Sequence, residues 1–386
     1  MFKKSLLAVS LAGLLAAPAY AELTINGFAS IKAGITLDKN DRLYGYDDNI
    51  DFKNESLFAI QVMSDLGEKL SVTAQLMGRG SNDFDVGFEW AFLTYQINDD
   101  WRINAGRLRT PFYKYSDFRD VGYSYDWLRV PQGVYGLGFN NIEGLSLYYN
   151  TQLGSFDSSV QFIAGTYDGE STVSGIDVAS KIKNMLGVSW ELSQDWYSLR
   201  AAYLVGKVSI VTEPVLLPSE PPVSIGQIYA GLTSAGFGAL VSDIDIVEEN
   251  GAFLGLGFTI DKNDWLVVGE YTLAKLDNSF IADQKNFYVS VGHRFDSLTP
   301  YVSYEKEDND AKTEIYTPYL GTLPPQLLLP VAGIVQSQTQ KISTYNIGLR
   351  YDFHPSAAFK VQYSSEDNKT ADVRQGVLAL GVDLVF

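Results

Sequence analysis

Long segments in which apolar and polar side chains alternate limit most strongly how this chain can fold. The segment LTINGFASIKAGITL (23–37) places leucine, isoleucine, alanine and glycine on one face and mainly threonine, asparagine, serine and lysine on the other. The last segment, 373–386, follows the same pattern and ends in Phe386. A repeat of two residues is the period of a β-strand, whose successive side chains point to opposite faces. The chain is therefore expected to consist of strands with one apolar and one polar face.

Sixteen such segments can be counted along the sequence. The predicted strands are 22–37, 55–65, 69–79, 86–98, 101–109, 142–152, 155–168, 181–192, 196–211, 249–260, 264–276, 284–295, 299–307, 339–352, 357–366 and 373–386. Most are long enough to cross about 25–30 Å of hydrocarbon at a tilt. The tenth strand is the least sharply defined, because a second apolar run, IYAGLTSAGFGALV (228–241), lies nearby.

The connections between these segments alternate in length. Short connections follow the even-numbered strands, and long ones follow most odd-numbered strands: 38–54, 110–141, 169–180, 212–248, 277–283 and 308–338. This alternation is expected of an up-and-down barrel with short periplasmic turns and long external loops. Sixteen strands enclose a space too wide for side chains to fill, so the apolar faces should point outward to lipid and the polar faces to a wet lumen. The alternative is a soluble β-sandwich or propeller.

The start of the chain has the pattern of a secretory signal peptide, residues 1–21. Two lysines precede an apolar stretch (6–17), and Ala-Tyr-Ala at 19–21 is a cleavage pattern. The barrel is then expected to comprise residues 22–386. A formal net charge of −17 argues against a nucleic-acid partner. No later segment is apolar for long enough to form a transmembrane helix.

Three short polar segments end in tryptophan: NDDW, SQDW and KNDW, which place Trp101, Trp196 and Trp265. Asparagine, aspartate and serine favour tight turns, and tryptophan favours the membrane–water interface. Each tryptophan is therefore expected to be the first residue of an upward strand, on its lipid face. Together they would form the aromatic girdle at the periplasmic rim.

The connection 106–141 is both long and rich in aromatic residues. Its charged residues include Arg107, Arg109, Lys114, Asp117, Arg119, Asp120, Asp126 and Arg129. Long loops are usually functional or disordered, and disordered segments are poor in aromatic residues. We expect this loop to fold into the lumen and narrow it, with carboxylates facing arginines across the gap. The lumen wall is expected to add Lys32, Arg79 and Arg102. The alternative is an external loop packed at a subunit contact.

Taken together, these features resemble the sixteen-stranded trimeric porins of Gram-negative outer membranes. The segment GRLRTPFYKYSDFRDVGYSYDW (106–127) is similar to the beginning of the third loop in porins of marine gamma-proteobacteria. The resemblance implies an all-β, antiparallel, sixteen-stranded transmembrane barrel with an inward-folded third loop. It also implies a homotrimer among outer-membrane lipid and lipopolysaccharide, without a cofactor. In that family a terminal aromatic residue, here Phe386, is read by the barrel-assembly machinery. The loop departs from the pattern, because its charges are mixed rather than uniformly acidic.

The resemblance and the residues together predict a water-filled channel. Ions and small hydrophilic solutes would diffuse through it passively, sorted by size and charge at the third loop, with anion preference as a hypothesis. The alternative is a largely closed barrel that acts as a surface receptor or adhesin through its loops. The proline-rich loops 212–224 and 317–331 would suit either a partner or a trimer contact. No enzyme or metal site is expected, because common catalytic motifs are absent and His293 and His354 fall near short turns.

Overall fold

The barrel predicted from the alternation is present. A computed structural model describes residues 22–173, 175–217 and 221–386, and the expected leader, 1–21, lies outside the described residues. Sixteen strands close into one antiparallel barrel in which each strand pairs with its sequence neighbours and the first pairs with the last. The strands are β1 (Leu23–Thr36), β2 (Leu57–Gly67), β3 (Leu70–Arg79), β4 (Val86–Gln96), β5 (Trp101–Arg109), β6 (Asn141–Leu153), β7 (Phe156–Val173), β8 (Ile176–Gln194), β9 (Tyr197–Ile210), β10 (Ile246–Lys262), β11 (Trp265–Leu276), β12 (Gln284–His293), β13 (Leu298–Asn309), β14 (Gln340–His354), β15 (Ala357–Asn368) and β16 (Val373–Val385). Closure leaves the barrel no free sheet edge.

The two faces of the barrel wall have the inverted polarity that the sequence predicted. Along β1, Ile31 is 58% exposed on the outside, whereas its neighbour Lys32 is 6% exposed toward the lumen. Leucine, isoleucine, valine and aromatic side chains are similarly exposed on the outer faces of most strands. A water-soluble barrel would bury these side chains, so the outer surface fits a lipid environment.

The closing seam of the barrel is covered by the last residue. Phe386 and Gly27 exchange two backbone hydrogen bonds, at 2.8 and 3.0 Å. The ring of Phe386 lies directly over Gly27, where a Cβ atom would overlap it, and its centroid is 5.8 Å from that of Phe58. The terminal aromatic residue therefore packs across β1 and β2 at the point where the sheet closes.

The prediction that residues 169–180 form a loop is wrong. Strands β7 and β8 continue through it as a paired ribbon, in which Val173 lies opposite Ile176. The physical reason is that Val178 and Ile182 are buried against apolar side chains inside the barrel, so the strands gain packing beyond the predicted end. The alternation weakens at Asp168 and Glu170, which obscured this continuation in the sequence.

Helices form in the two longest connections that follow the third loop (110–140). The apolar run that competed with the tenth strand forms α1 (Ile225–Ser234) and α2 (Gly238–Ser242), and β10 begins after them. Ser224 and Gln227 form a capping box that fixes the start of α1. In the loop 310–339, the proline-rich segment leads into α3 (Pro325–Gln336). Leu232, Leu240 and Val331 are fully buried, so these helices pack into one side of the long-loop end. None of the helices in the described part of the chain is long and apolar enough to cross a membrane.

Two of the three tryptophans lie where the sequence placed them along the strands. Trp101 and Trp265 begin β5 and β11, but Trp196 lies in the turn one residue before β9. The Asn98 side chain accepts hydrogen bonds from the backbone amides of Asp100 and Trp101, at 3.0 and 2.9 Å. Asparagine thus makes the turn itself, as its side-chain chemistry predicts. All three tryptophans therefore mark the short-turn end of the barrel.

Candidate functional site: the loop inside the lumen

Loop 3, residues 110–140, runs through the lumen and reaches the opposite wall. The indole nitrogen of Trp127 donates to Ser290 Oγ on β12 at 2.8 Å, and the amide of Leu128 donates to Gln362 Oε1 on β15 at 3.1 Å. Lys32 of β1 donates to the carbonyl of Leu128 at 2.6 Å. The loop therefore spans the interior from its root on β5 to the β12–β15 wall and β1, as the sequence predicted.

Buried basic side chains of the wall hold the backbone of loop 3. Lys360, which is fully buried, donates to the carbonyls of Gly122 and Tyr125 at 2.6 Å each and to that of Trp127 at 2.8 Å. Its ammonium also lies 3.0 Å from the carboxylate of Asp383. The backbone carbonyl groups of a loop outside the sheet need hydrogen-bond donors, and this lysine donates to three of them. Gly122 is required here, because a Cβ atom would overlap the Asp383 carboxylate.

The side of loop 3 that faces β8–β12 is packed with rings. The ring centroids of Phe112 and Phe253 are 4.8 Å apart, and those of Tyr113 and Tyr135 are 4.5 Å apart. These residues are buried in a cluster that also contains Leu204 and the helices of the long-loop end. Apolar packing therefore fills this side of the lumen.

A single buried carboxylate ties both arms of loop 3 to this packed side. Glu270 of β11 accepts from the amide of Lys114 at 2.7 Å, from the hydroxyl of Tyr288 at 2.8 Å, and from the hydroxyl of Tyr135. Arg200 of β9 donates to the carbonyls of Pro111 and Phe112, at 2.6 and 3.0 Å. These lumen-facing charges are thus anchors of the loop.

The opposite side of loop 3 carries an ion-pair network. Arg109 donates to Glu89 and to Asp120 at 2.8 Å each, while Arg79 lies 2.9 Å from Glu89 and 3.2 Å from Asp120. Two arginines and two carboxylates therefore alternate around one junction of β3, β4, β5 and the loop. Burial alone would raise the pKa of Asp120, but the two arginines outweigh it and hold that pKa well below its usual range.

Sequence reasoning missed Glu89, because a bulge changes its direction. Gln75 pairs with Trp90 and Leu76 pairs with Phe88, which leaves Glu89 as the extra residue. In an uninterrupted strand Glu89 would share the lipid face with Ala91 and Leu93; the bulge turns it into the lumen, where it is 7% exposed. The sequence did contain a sign of the bulge, because simple alternation would have placed this carboxylate on the lipid face.

Loop 1, residues 37–56, supplies a second pair that the sequence did not reveal. Arg129 binds Glu55 in a bidentate pair, with Nε and Nη2 at 2.8 and 2.7 Å from the two carboxylate oxygens. The guanidinium also lies 4.5 Å above the ring of Tyr44. Burial would raise the pKa of Glu55, but the charge and hydrogen bonds of Arg129 more than offset it and lower that pKa. Loops 1 and 3 therefore form this part of the lumen together.

Two cavities lie beside these pairs. At the long-loop end a cavity of about 330 Å³ is lined by charged residues: Lys32, Arg79, Arg119 and Arg129, and the carboxylates Glu55 and Asp120. At the short-turn end a cavity of about 250 Å³ includes Asp126, Arg294 and Arg350. Tyr125 of loop 3 lines both cavities, so the loop separates them at this residue.

The residues predicted for the constriction separate into a central group and an outlying group. The central group lines or adjoins the larger cavity and comprises Lys32, Arg79, Arg109, Arg119, Asp120 and Arg129. Arg107 pairs with Glu143 at 3.3 Å on the outer face of the wall, with both side chains about half exposed. Lys114 bonds Ser198 at 2.7 Å on the packed side, and Asp126 lies 3.8 Å from Arg350 toward the short-turn end.

Two further predicted residues lie away from the pairs. Arg102 stacks on Tyr148 at 4.2 Å, and Asp117 is exposed on the loop. Arg119 donates to Asn140 and, at 3.5 Å, to the carbonyl of Tyr135, and within the described ranges it has no carboxylate partner. Arg119 is therefore a cation on the wall of the larger cavity, without a carboxylate within ion-pair distance among the described residues.

The sequence family agrees with this architecture. A family model described as Gram-negative porin matches residues 7–371, so this chain belongs to the Gram-negative porin family. It is an outer-membrane channel. No curated protein sequence matches the chain.

Solved structures of other outer-membrane proteins share the fold. The channel DcaP of Acinetobacter baumannii superposes with a TM-score of 0.61 at 13% identity, over 96% of this chain and 99% of its own. The loop L8 deletion mutant of OmpT from Vibrio cholerae gives 0.61 at 12% identity, over 95% and 99%. An anion-selective porin from Comamonas acidovorans gives 0.57 at 12% identity, over 95% and 100%. At such low identity the likeness concerns the fold alone.

Proposed function

We propose that the chain conducts ions and small hydrophilic solutes by passive diffusion, with the charged side of loop 3 as the selective passage. The observation that carries the proposal is the asymmetric lumen, packed on one side of the loop and open beside fixed charges on the other. Packing limits the width of the passage, and the charges sort what enters it.

We infer that anions are preferred over cations. The larger cavity has four basic side chains, Lys32, Arg79, Arg119 and Arg129, against the carboxylates Glu55 and Asp120. In a narrow passage with protein walls such an excess of positive charge raises the local concentration of anions. The porin from Comamonas acidovorans, which is described as anion-selective, offers a precedent within this fold.

Size sorting is tested by liposome swelling with a series of neutral sugars. The rate should fall steeply with solute size, because loop 3 crosses the lumen to the opposite wall. In parallel, planar bilayers should show stepwise conductance. A barrel that inserts but gives neither swelling nor current steps would favour the closed receptor or adhesin instead.

We also propose that three copies assemble side by side. Loop 1 exposes Phe52 at 62%, and loop 2 (80–85) exposes Phe84 at 45%. The apolar surface continues down the wall to Phe58 and Phe88, at 47% and 57%. Apolar patches that extend from the membrane band into loops need a protein cover. A folded OmpT of Vibrio cholerae is described as a trimer form. Closure of single insertion events in three equal current steps would support this assembly, and single-step closure would contradict it.

The remaining roles concern export and insertion. We propose that residues 1–21 are removed during export, that Phe386 is the signal for the barrel-assembly machinery, and that Trp101, Trp196 and Trp265 lie at headgroup depth. Lipopolysaccharide would contact the lipid face at the external end. Replacement of Phe386 by alanine should reduce the heat-modifiable barrel in outer membranes, while a Phe353→Ala variant, exposed on the outer face, should not.

A further inference from the structure

The packed side of the lumen contains a cavity that the ionic passage does not use. Its volume is about 150 Å³, and its walls include Phe112, Leu137, Met185, Leu204, Phe253 and Leu276. The polar side chains on its lining, Lys275 and Gln284, are two of nineteen residues.

Two glycines bring the apolar lining of the cavity close to the sheet. Gly206 and Gly251 lie opposite each other in the register of β9 and β10. A Cβ atom at Gly206 would approach Ile182 to 2.7 Å, and one at Gly251 would approach Val208 to 2.8 Å. Glycines inside strands often mark places where another group comes close to the sheet. Here the groups that come close are Ile182 and Val208, which are themselves part of the cavity wall.

The size and lining of the cavity define what fits. An enclosed apolar cavity of about 150 Å³ lined by leucine, isoleucine and phenylalanine binds benzene or xenon. The present cavity has a similar volume and lining but is partly open. A charged or strongly polar solute would lose its hydration here without gaining partners. The complementary ligand is therefore neutral and about the size of one aromatic ring.

The cavity also touches both arms of loop 3. Phe112 comes from the first arm, where Arg200 holds its carbonyl, and Leu137 and Phe139 come from the last. We propose that this cavity is a binding site for a neutral aromatic or branched aliphatic group of benzene size, separate from the ionic passage, and that its occupant contacts both arms of the loop. The proposal does not depend on the charge selectivity of the channel.

Fluorobenzene is a suitable probe, observed by ¹⁹F NMR with the barrel in lipid nanodiscs. The wild-type barrel should broaden and shift the resonance beyond the effect of empty nanodiscs. The Ala282→Leu variant fills the cavity from loop 6 (277–283), where Ala282 is part of the lining, and should abolish the extra effect. Ala201→Leu makes the same change on the lipid face of β9 and should retain it.

Two results would overturn the proposal: a wild-type signal equal to that of empty nanodiscs, or an Ala282→Leu signal equal to wild type. Heat-modifiable migration confirms that each variant is folded. If Ala282→Leu does not fold, Ala274→Leu fills the same cavity from β11 and decides in its place. The reversal potential of the filled variant should equal that of wild type, because the cavity lies outside the charged passage.

Discussion

The two sides of loop 3 make different kinds of contact with the barrel wall. Toward β8–β12 the loop buries aromatic rings, and toward β1–β5 it forms ion pairs beside open space. Buried ion pairs add little net stability, because the cost of removing both charges from water offsets most of their attraction. Aromatic packing on one side and the backbone contacts of Lys360 on the opposite wall hold the loop, and this fixed position gives its charges a defined geometry.

The largest effect is expected where a buried charge anchors the loop. Replacing Lys360 with methionine leaves three carbonyls and Asp383 without their cation. Breaking such a buried pair typically costs about 3–5 kcal/mol. The thermal midpoint should fall and the current should become noisier. Lys39→Met, in exposed loop 1, is the control, and an equal response of both variants would refute the anchor.

A smaller loss is expected on the packed side. Tyr135→Phe removes one of the donors to the buried Glu270 and should cost about 1–3 kcal/mol, because the carboxylate is left less satisfied. Tyr345→Phe removes a hydroxyl that is 54% exposed on the outer wall and serves as the matched control. Thermal unfolding of both variants in detergent checks the difference. Selectivity should barely change, and a large shift would mean that this side also lines the passage.

Arg119 is expected to affect ion selectivity but not the stability of the barrel. The Arg119→Gln variant removes a cation that has no carboxylate within ion-pair distance in the described part of the chain. Anion preference should therefore fall, while the free energy of unfolding should stay within about 0.5 kcal/mol of wild type. Arg107→Gln removes the same charge from the outer face, where Arg107 pairs with Glu143. Reversal potentials should separate the two variants, and identical values would place both side chains outside the passage.

The smallest effect concerns pH. Arg129 lowers the pKa of Glu55, so the stability from this pair is present above the ordinary carboxyl pKa and is lost as the pH falls through the depressed value. The difference in unfolding free energy between wild type and Glu55→Gln should therefore be constant from pH 7 to about pH 5, and should shrink only below the ordinary value of about 4.3. A difference that already falls near pH 6 would contradict the pairing.

Local patterns predicted the barrel, the inward loop and much of its charge. They failed where one residue changes the register or where distant segments meet. The bulge at Glu89 reverses which face that side chain occupies, and a period of two cannot reveal an extra residue. Arg107 was grouped with Arg109 because the two are close in sequence. In the structure Arg107 pairs with Glu143 on the outer face, whereas Arg109 pairs with Glu89 in the lumen. Glu55 and Tyr44 reach Arg129 only because loop 1 also folds inward.

If fixed positive charge beside loop 3 selects the permeating ions, the channel conducts chloride more readily than potassium. The reversal potential of the wild-type channel in a planar bilayer, under a tenfold gradient of potassium chloride, measures this preference. Its sign should show chloride to be more permeant than potassium, and its value should be smaller for Arg119→Gln. A wild-type potential of the opposite sign, showing clear cation selectivity, would contradict this expectation.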